Sequence, residues 1–213
     1  MNAALKSSLK LAGILLAFAF PFTALLATAH YLTAPAIEAS LAAERLAFLN
    51  EVLPEEYYDN DILADTLSLP PVAELGQATT VYRARKNGEP TALALEAIAP
   101  DGYAGNIRMI IGITYEGTLT GVRIIEHRET PGLGDYIDLK KDRNRLNPWI
   151  LQFDGMNYPH VPDSQWKTRK ENGYFHYRAG ATISPRAVIA AVHRAVRYAV
   201  LNRETLFAVE EIE

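Results

Sequence analysis

A chain of 213 residues with a 49% apolar share and a net charge of −4 has room for one globular domain and something more. The charge is small and of the wrong sign for a nucleic-acid partner. With no cysteine, the chain builds neither a disulfide scaffold, nor a thiolate metal site, nor an iron–sulfur cluster on its own cysteines.

The first predicted element is a membrane anchor, residues 1–34. Lys6 and Lys10 precede an uncharged run from Leu11 to Ile37. Within it, Leu11–Tyr31 supplies the ~20 mostly apolar residues that a span needs. Pro21 lies mid-span, where a bilayer tolerates it with a kink. The lysines come before the span and Glu38 and Glu44 after it, which puts the N-terminus in the cytoplasm and the body outside. A cleaved signal peptide is the competing reading, with Ala27-Thr28-Ala29 as its small-x-small site. The apolar run outlasts a signal core, which favours the anchor, and the body is exported either way.

Residues 35–74 read as an amphipathic helix and a linker. Ile37, Leu41, Phe48, Leu49 and Val52 alternate with Glu38, Glu44, Arg45 and Glu51 at helical spacing, and Pro54 stops the pattern. Tyr57 to Ala73 carries Asp59, Asp61, Asp65 and Pro70-Pro71, and reads as a segment of little regular structure.

Residues 75–213 hold the domain. Thr79–Arg85 and Thr91–Ala99 flank Asn87-Gly88, a strong two-residue hairpin signal. Ile107–Tyr115 and Thr118–Glu126 follow as two further strands, the first of them apolar enough to be buried on both faces. Asp142–Phe153 reads as a short helix and Gly173–Tyr177 as a last strand. Lys140, Lys141, Arg143 and Arg145 read as a solvated loop, or as a contact for a phosphate or an acidic partner. Ser184 and Pro185 then read as N-cap and first residue of a final helix to Phe207, whose Ala187, Val188, Ala191, Val192, Ala195, Val196 and Ala199 form a small apolar face. The predicted class is α+β: an antiparallel sheet covered by helices, preceded by one transmembrane helix.

Two stretches carry possible chemistry. In Arg178–Pro185, Gly180 and Ala181 leave clearance beside the backbone and Thr182 offers a hydroxyl at a helix start, where free N–H groups and the dipole favour a phosphate. By itself this stretch also reads as a plain capped helix after a tight loop. In His127–Gly134, Pro131, Gly132 and Gly134 make a turn whose backbone can approach a flat ligand. A metal site on Glu126, His127 and Glu129 lacks a second histidine at ligand spacing. No Gly-x-Ser-x-Gly elbow stands behind a hydrolase. His30, His160, His176 and His193 are isolated in sequence, and neither a P-loop nor a dinucleotide fingerprint is present.

An anchor, Gly-Tyr-x-Gly (residues 102–105), Glu-Thr-Pro-Gly-Leu-Gly (129–134) and Gly-Ala-Thr-Ile-Ser (180–184) occur in that order. The chain thereby resembles the FMN-binding domain family, and more narrowly the G subunits of Rnf (Rsx) ion-translocating electron-transport complexes. The related C subunits of sodium-translocating NADH:quinone oxidoreductases share both later motifs, but the compact body suits the G subunits better. The resemblance implies FMN attached covalently through its phosphate to Thr182, placed there by a flavin transferase that uses FAD and magnesium. Gly180 and Ala181 would flank the linkage, and Thr130, Gly132, Leu133 and Gly134 would neighbour the flavin. It also implies a bacterial inner-membrane protein with a periplasmic body and contact with membrane lipid. Its partners would be the other membrane subunits of an Rnf complex, which couples ferredoxin:NAD electron transfer to sodium or proton movement. The chain would relay electrons without catalytic residues or a substrate of its own. A non-redox anchored assembly scaffold, a C subunit-like component of a sodium-pumping NADH:quinone oxidoreductase and a released periplasmic flavin reductase are the alternatives. Two positions depart from the family pattern: Ala179 stands where Ser or Thr is usual, and His176 where an acidic residue is frequent.

Overall fold

The computed structural model describes residues 3–208, with side chains from Leu9 onward. The chain divides into two compact units, residues 1–46 and 47–213.

The first unit is helix α1, Ala3–Asn50, whose last turn belongs to the second. One continuous helix replaces the expected anchor and separate amphipathic helix, and both Pro21 and Pro35 lie inside it. Leu11, Leu15, Leu16, Phe18, Phe20, Phe22, Leu25 and Leu26 are all exposed. A helix that is apolar all round, uncovered and longer than ~20 residues is long and apolar enough to cross a membrane. Thr28 and Thr33 turn their hydroxyls back onto it, donating to the carbonyls of Ala24 at 2.7 Å and Ala29 at 2.8 Å.

The second unit is built on five antiparallel strands in sequence order: β1 Thr66–Leu69, β2 Thr79–Lys86, β3 Glu89–Gly102, β4 Gly105–Thr114 and β5 Leu119–Glu126. Asn87 and Gly88 have φ of +53° and +82°, as a primed hairpin turn demands. Strand β1 falls in the stretch expected to lack regular structure. The acidic residue just before it is a structural partner: Asp65 sits 2.6 Å from Arg83 Nε and 2.8 Å from Arg85 Nε, both on β2.

Helix α2, Ile183–Leu201, lays the predicted small face on the sheet. Ala187, Val188, Ala191, Val192, Ala195 and Val196 are buried in one core with Val81, Leu93, Leu95 and Ile111. Each larger apolar side chain so buried contributes about 1.5–3 kcal/mol, and the alanines let the helix come close. A short helix α3, Arg203–Phe207, closes the described chain.

Gly112 on β4 pairs with Gly121 on β5, and the backbone of Val52 crosses them. A Cβ at Gly112 would lie 2.1 Å from the Val52 carbonyl oxygen, and one at Gly121 would lie 2.9 Å from Val52 Cα. Thr120 Oγ1 also donates to the Val52 carbonyl.

Two expected elements differ. Only Trp149–Phe153 of the predicted Asp142–Phe153 helix is helical, as a 3-10 turn, because the Asp142 carboxylate instead accepts the N–H groups of Asn144 and Trp149 and holds the loop between them. The predicted strand at Gly173–Tyr177 is irregular chain with one bridge between Thr168 and Phe175. Phe175 there fills the core, 4.9 Å from the Phe153 ring and 5.2 Å from that of Trp166.

Candidate cofactor-binding site

The loop leaving β5 folds on itself. The Thr130 carbonyl accepts the N–H groups of Leu133 and Gly134, each at 3.1 Å. Gly132 takes φ +77° and gives its N–H to Asp135 Oδ1 at 2.9 Å. His127 Nδ1 accepts the Glu129 N–H at 3.0 Å, with the Lys141 ammonium 3.0 Å from its other ring nitrogen. Burial, and then the charge of Lys141, hold this imidazole below its ordinary pKa against the pull of Asp138, Glu129 and Asp135.

Glu129 is the knot of the site. It is 3% exposed, and a buried carboxylate needs donors. One comes from the Ala104 N–H at 3.0 Å, the other from the Ser184 hydroxyl. Three segments distant in sequence meet on this one side chain: the Gly102–Gly105 loop, the His127–Gly134 loop and the start of α2.

That bond changes the start of α2. The helix opens at Ile183, with Thr182 in the N-cap position and Ser184 second. The expected N-cap Ser184 is instead buried and turned to Glu129, and Pro185 stands third rather than first. Proline is still tolerated there, since the first N–H groups of a helix have no intrahelical acceptor. Thr182 makes no side-chain capping bond, so its hydroxyl is not committed to the helix.

These segments enclose a cleft of about 300 Å³ lined by Tyr103, Glu129, Thr130, Leu133, Gly134 and Gly180–Ser184. Glu129 and Ser184 are its buried polar residues. Tyr103, Leu133 and Ile183 are 68%, 55% and 42% exposed, an amount of bare apolar surface that a flat ligand would cover. Six of the seven residues expected around a cofactor (Thr130, Leu133, Gly134, Gly180, Ala181 and Thr182) line this cleft. Gly132 does not. It lines a smaller adjoining cleft with Lys141, Arg143 and Arg178. Sequence reasoning did not place Tyr103 or Ile183 at the site, although the Gly-Tyr-x-Gly signal covered Tyr103.

The glycines act for different reasons. A Cβ at Gly134 would come within 2.6 Å of Ser184 Oγ and 2.9 Å of Glu129 Oε2, so clearance is the reason there. At Gly180 nothing lies within 4 Å of such a Cβ, but φ is +87°, which L side chains resist. Backbone shape, not clearance, fixes that glycine. His176 is exposed; its N–H donates to Gln152 Oε1 and its carbonyl accepts the Trp149 indole N–H.

The donor set suits FMN. A helix N-terminus stands ready for a phosphate, an uncommitted hydroxyl lies beside it, and the apolar rim of Tyr103, Leu133 and Ile183 suits a flat ring.

Comparison with known proteins gives the family. Residues 102–197 match the FMN-binding domain and residues 1–52 match the RnfG N-terminal region. The chain is similar to the G subunit of the ion-translocating oxidoreductase complex of Vibrio atlanticus, at 44% identity over 95% of each chain. It is also similar to the protein of that name from Pseudomonas aeruginosa strain UCBPP-PA14, at 40% identity over 99% of this chain and 98% of the other. Among solved structures, NqrC of Shewanella oneidensis matches 65% of each chain at 18% identity, with a TM-score of 0.41. With such identity to the Vibrio and Pseudomonas proteins over nearly its whole length, the chain belongs to the family of G subunits of ion-translocating oxidoreductase complexes.

Proposed function

We propose that this chain carries electrons on an FMN joined through its phosphate to Thr182. It does so as an anchored subunit of a complex that couples ferredoxin:NAD electron transfer to movement of sodium ions or protons. The observation that carries the reading is Thr182 itself. Its hydroxyl makes no capping bond, and it lines the cleft at the N-terminal end of a 19-residue helix.

When bound, FMN supplies the reversible electron uptake. The chain's own residues hold it. Thr182 provides the oxygen for the linkage, and the first N–H groups of α2 favour the phosphate charge. Gly134 lets the Glu129–Ser184 pair close behind the cleft, while Tyr103, Leu133 and Ile183 offer apolar surface to the ring. A flavin transferase using FAD and magnesium makes the linkage during maturation. The other membrane subunits of the complex are the partners in electron transfer, and the body lies on the periplasmic side of the inner membrane.

Intact mass and a denaturing gel under ultraviolet light test the reading on protein made beside its transferase. The expected result is one added FMN and a fluorescent band that survives denaturation, both lost in Thr182→Val. A chain with only its amino-acid mass would overturn the linkage and favour a non-redox scaffold.

A further inference from the structure

The segment that presents Thr182 is a tight turn with a specific support behind it. The Ala181 N–H donates to the Arg178 carbonyl at 3.2 Å. The hydroxyl of Tyr136 serves both ends of this turn: it donates to the Ala181 carbonyl at 2.9 Å and accepts the Arg178 N–H at 3.1 Å. Burial pushes the Tyr136 phenol up from its ordinary pKa, outweighing the Arg178 N–H and charge, so the hydroxyl keeps the proton it donates.

The Arg178 guanidinium in turn lies 4.6 Å from the centroid of the Tyr136 ring and donates to Asp142. The Asp142 side chain has no exposed surface. It is fixed from behind by the N–H of Trp149 at 2.7 Å and of Asn144 at 2.8 Å. The Trp149 ring meets Tyr136 edge-on at 5.7 Å. The result is a closed circuit running from Asp142 through Arg178 and Tyr136 to the turn. A circuit of this kind rigidifies what it holds.

We infer that Tyr136, Arg178 and Asp142 are positioning residues for flavin attachment: they clamp the Arg178–Ala181 turn so that Thr182 Oγ is presented to the transferase in one geometry. This rests on the Thr182 reading above. In the step they serve, a Thr182 Oγ–phosphorus bond forms and the phosphoanhydride bond of FAD breaks. AMP leaves with the bonding electron pair, and the hydroxyl proton passes to a base of the transferase or to solvent. The chain's contribution is orientation, where small displacements are costly in rate.

The test uses the full-length chain in detergent with a flavin transferase, FAD and magnesium, and follows FMN incorporation by in-gel fluorescence and mass. Tyr136→Phe removes one oxygen and keeps the ring in the core. Its expected effect is a fall in kcat for incorporation of roughly tenfold, with KM for the protein retained and a modestly lowered melting temperature, since the Ala181 carbonyl and the Arg178 N–H lose their shared partner. Amide exchange at Ala181 should quicken as the turn loosens. If Tyr136→Phe does not fold, Arg178→Gln, at a half-exposed side chain, serves the same measurement. Incorporation into these variants at the wild-type kcat would overturn the clamp alone. Wild-type protein that takes up no FMN would overturn both the clamp and the Thr182 reading.

Discussion

Glu129 shows what one side chain is asked to do here, since a single buried carboxylate ties two loops to a helix start. Ser184→Ala removes one of its two donors and leaves a charge under-satisfied, at a cost of about 1–3 kcal/mol, read as a shift in the urea midpoint. The two site glycines should separate in the same assay. Gly180→Ala meets open space but an unfavourable φ, for about 1 kcal/mol. Gly134→Ala meets Ser184 and Glu129 and should cost more. His127 gives the body an acid limb. Its folded pKa lies below the ordinary 6.5, so the unfolded chain binds a proton that the folded chain refuses. Its contribution is therefore complete above 6.5 and lost as pH falls through the lowered folded value. Melting temperature should decline on acidification through that window, and His127→Gln should flatten the decline. Asp142 acts further down. Burial raises its carboxyl, but the N–H groups of Trp149 and Asn144 and the Arg178 guanidinium outweigh that, so it titrates below the ordinary 3.8. Its contribution is present above that ordinary value and disappears only as pH falls through the lower one.

At the scale of elements, the paired glycines of β4 and β5 make a strong prediction. Gly112→Ala puts a methyl group 2.1 Å from the Val52 carbonyl oxygen, and backbone cannot step aside as a side chain can. Overpacking of this kind should cost about 3 kcal/mol, more than Gly121→Ala, by the same denaturation measurement. Strands β2 to β5 were legible because each is a long apolar run closed by a turn with its own chemistry, Asn87-Gly88 above all. Strand β1 was not, because four residues beside several acidic ones look like solvated chain until Arg83 and Arg85 are seen closing on Asp65. Gly173–Tyr177 misled for the opposite reason: Tyr174, Phe175 and Tyr177 have strand-like composition, but Phe175 is an anchor for irregular chain. The start of α2 was misread by two residues since Ser184 answers to Glu129, 55 positions away. The cleft itself was legible in six of its residues because two short motifs carry them. The clamp of Tyr136, Asp142 and Arg178 was not, since its members are far apart and belong to no local pattern.

At the scale of the whole molecule, an anchor and an FMN-binding domain of the G-subunit family share one chain. Orientation is open to direct measurement, because the chain has no cysteine and Leu146 is 99% exposed. Leu146→Cys should react with a membrane-impermeant maleimide added from the periplasmic side of intact inner membrane. Protection there, with labelling only after lysis, would reverse the proposed topology. The crossing of Val52 over Gly121 has one more consequence. From Gly121 the same strand runs on to Glu126 and hands over to the loop that builds the cleft, a stretch of about 20 Å in extended chain. A redox group seated there would have its distance from Val52 set by a stiff ruler rather than a slack leash. Insertions into this strand should then detune electron hand-over even where the pocket is intact.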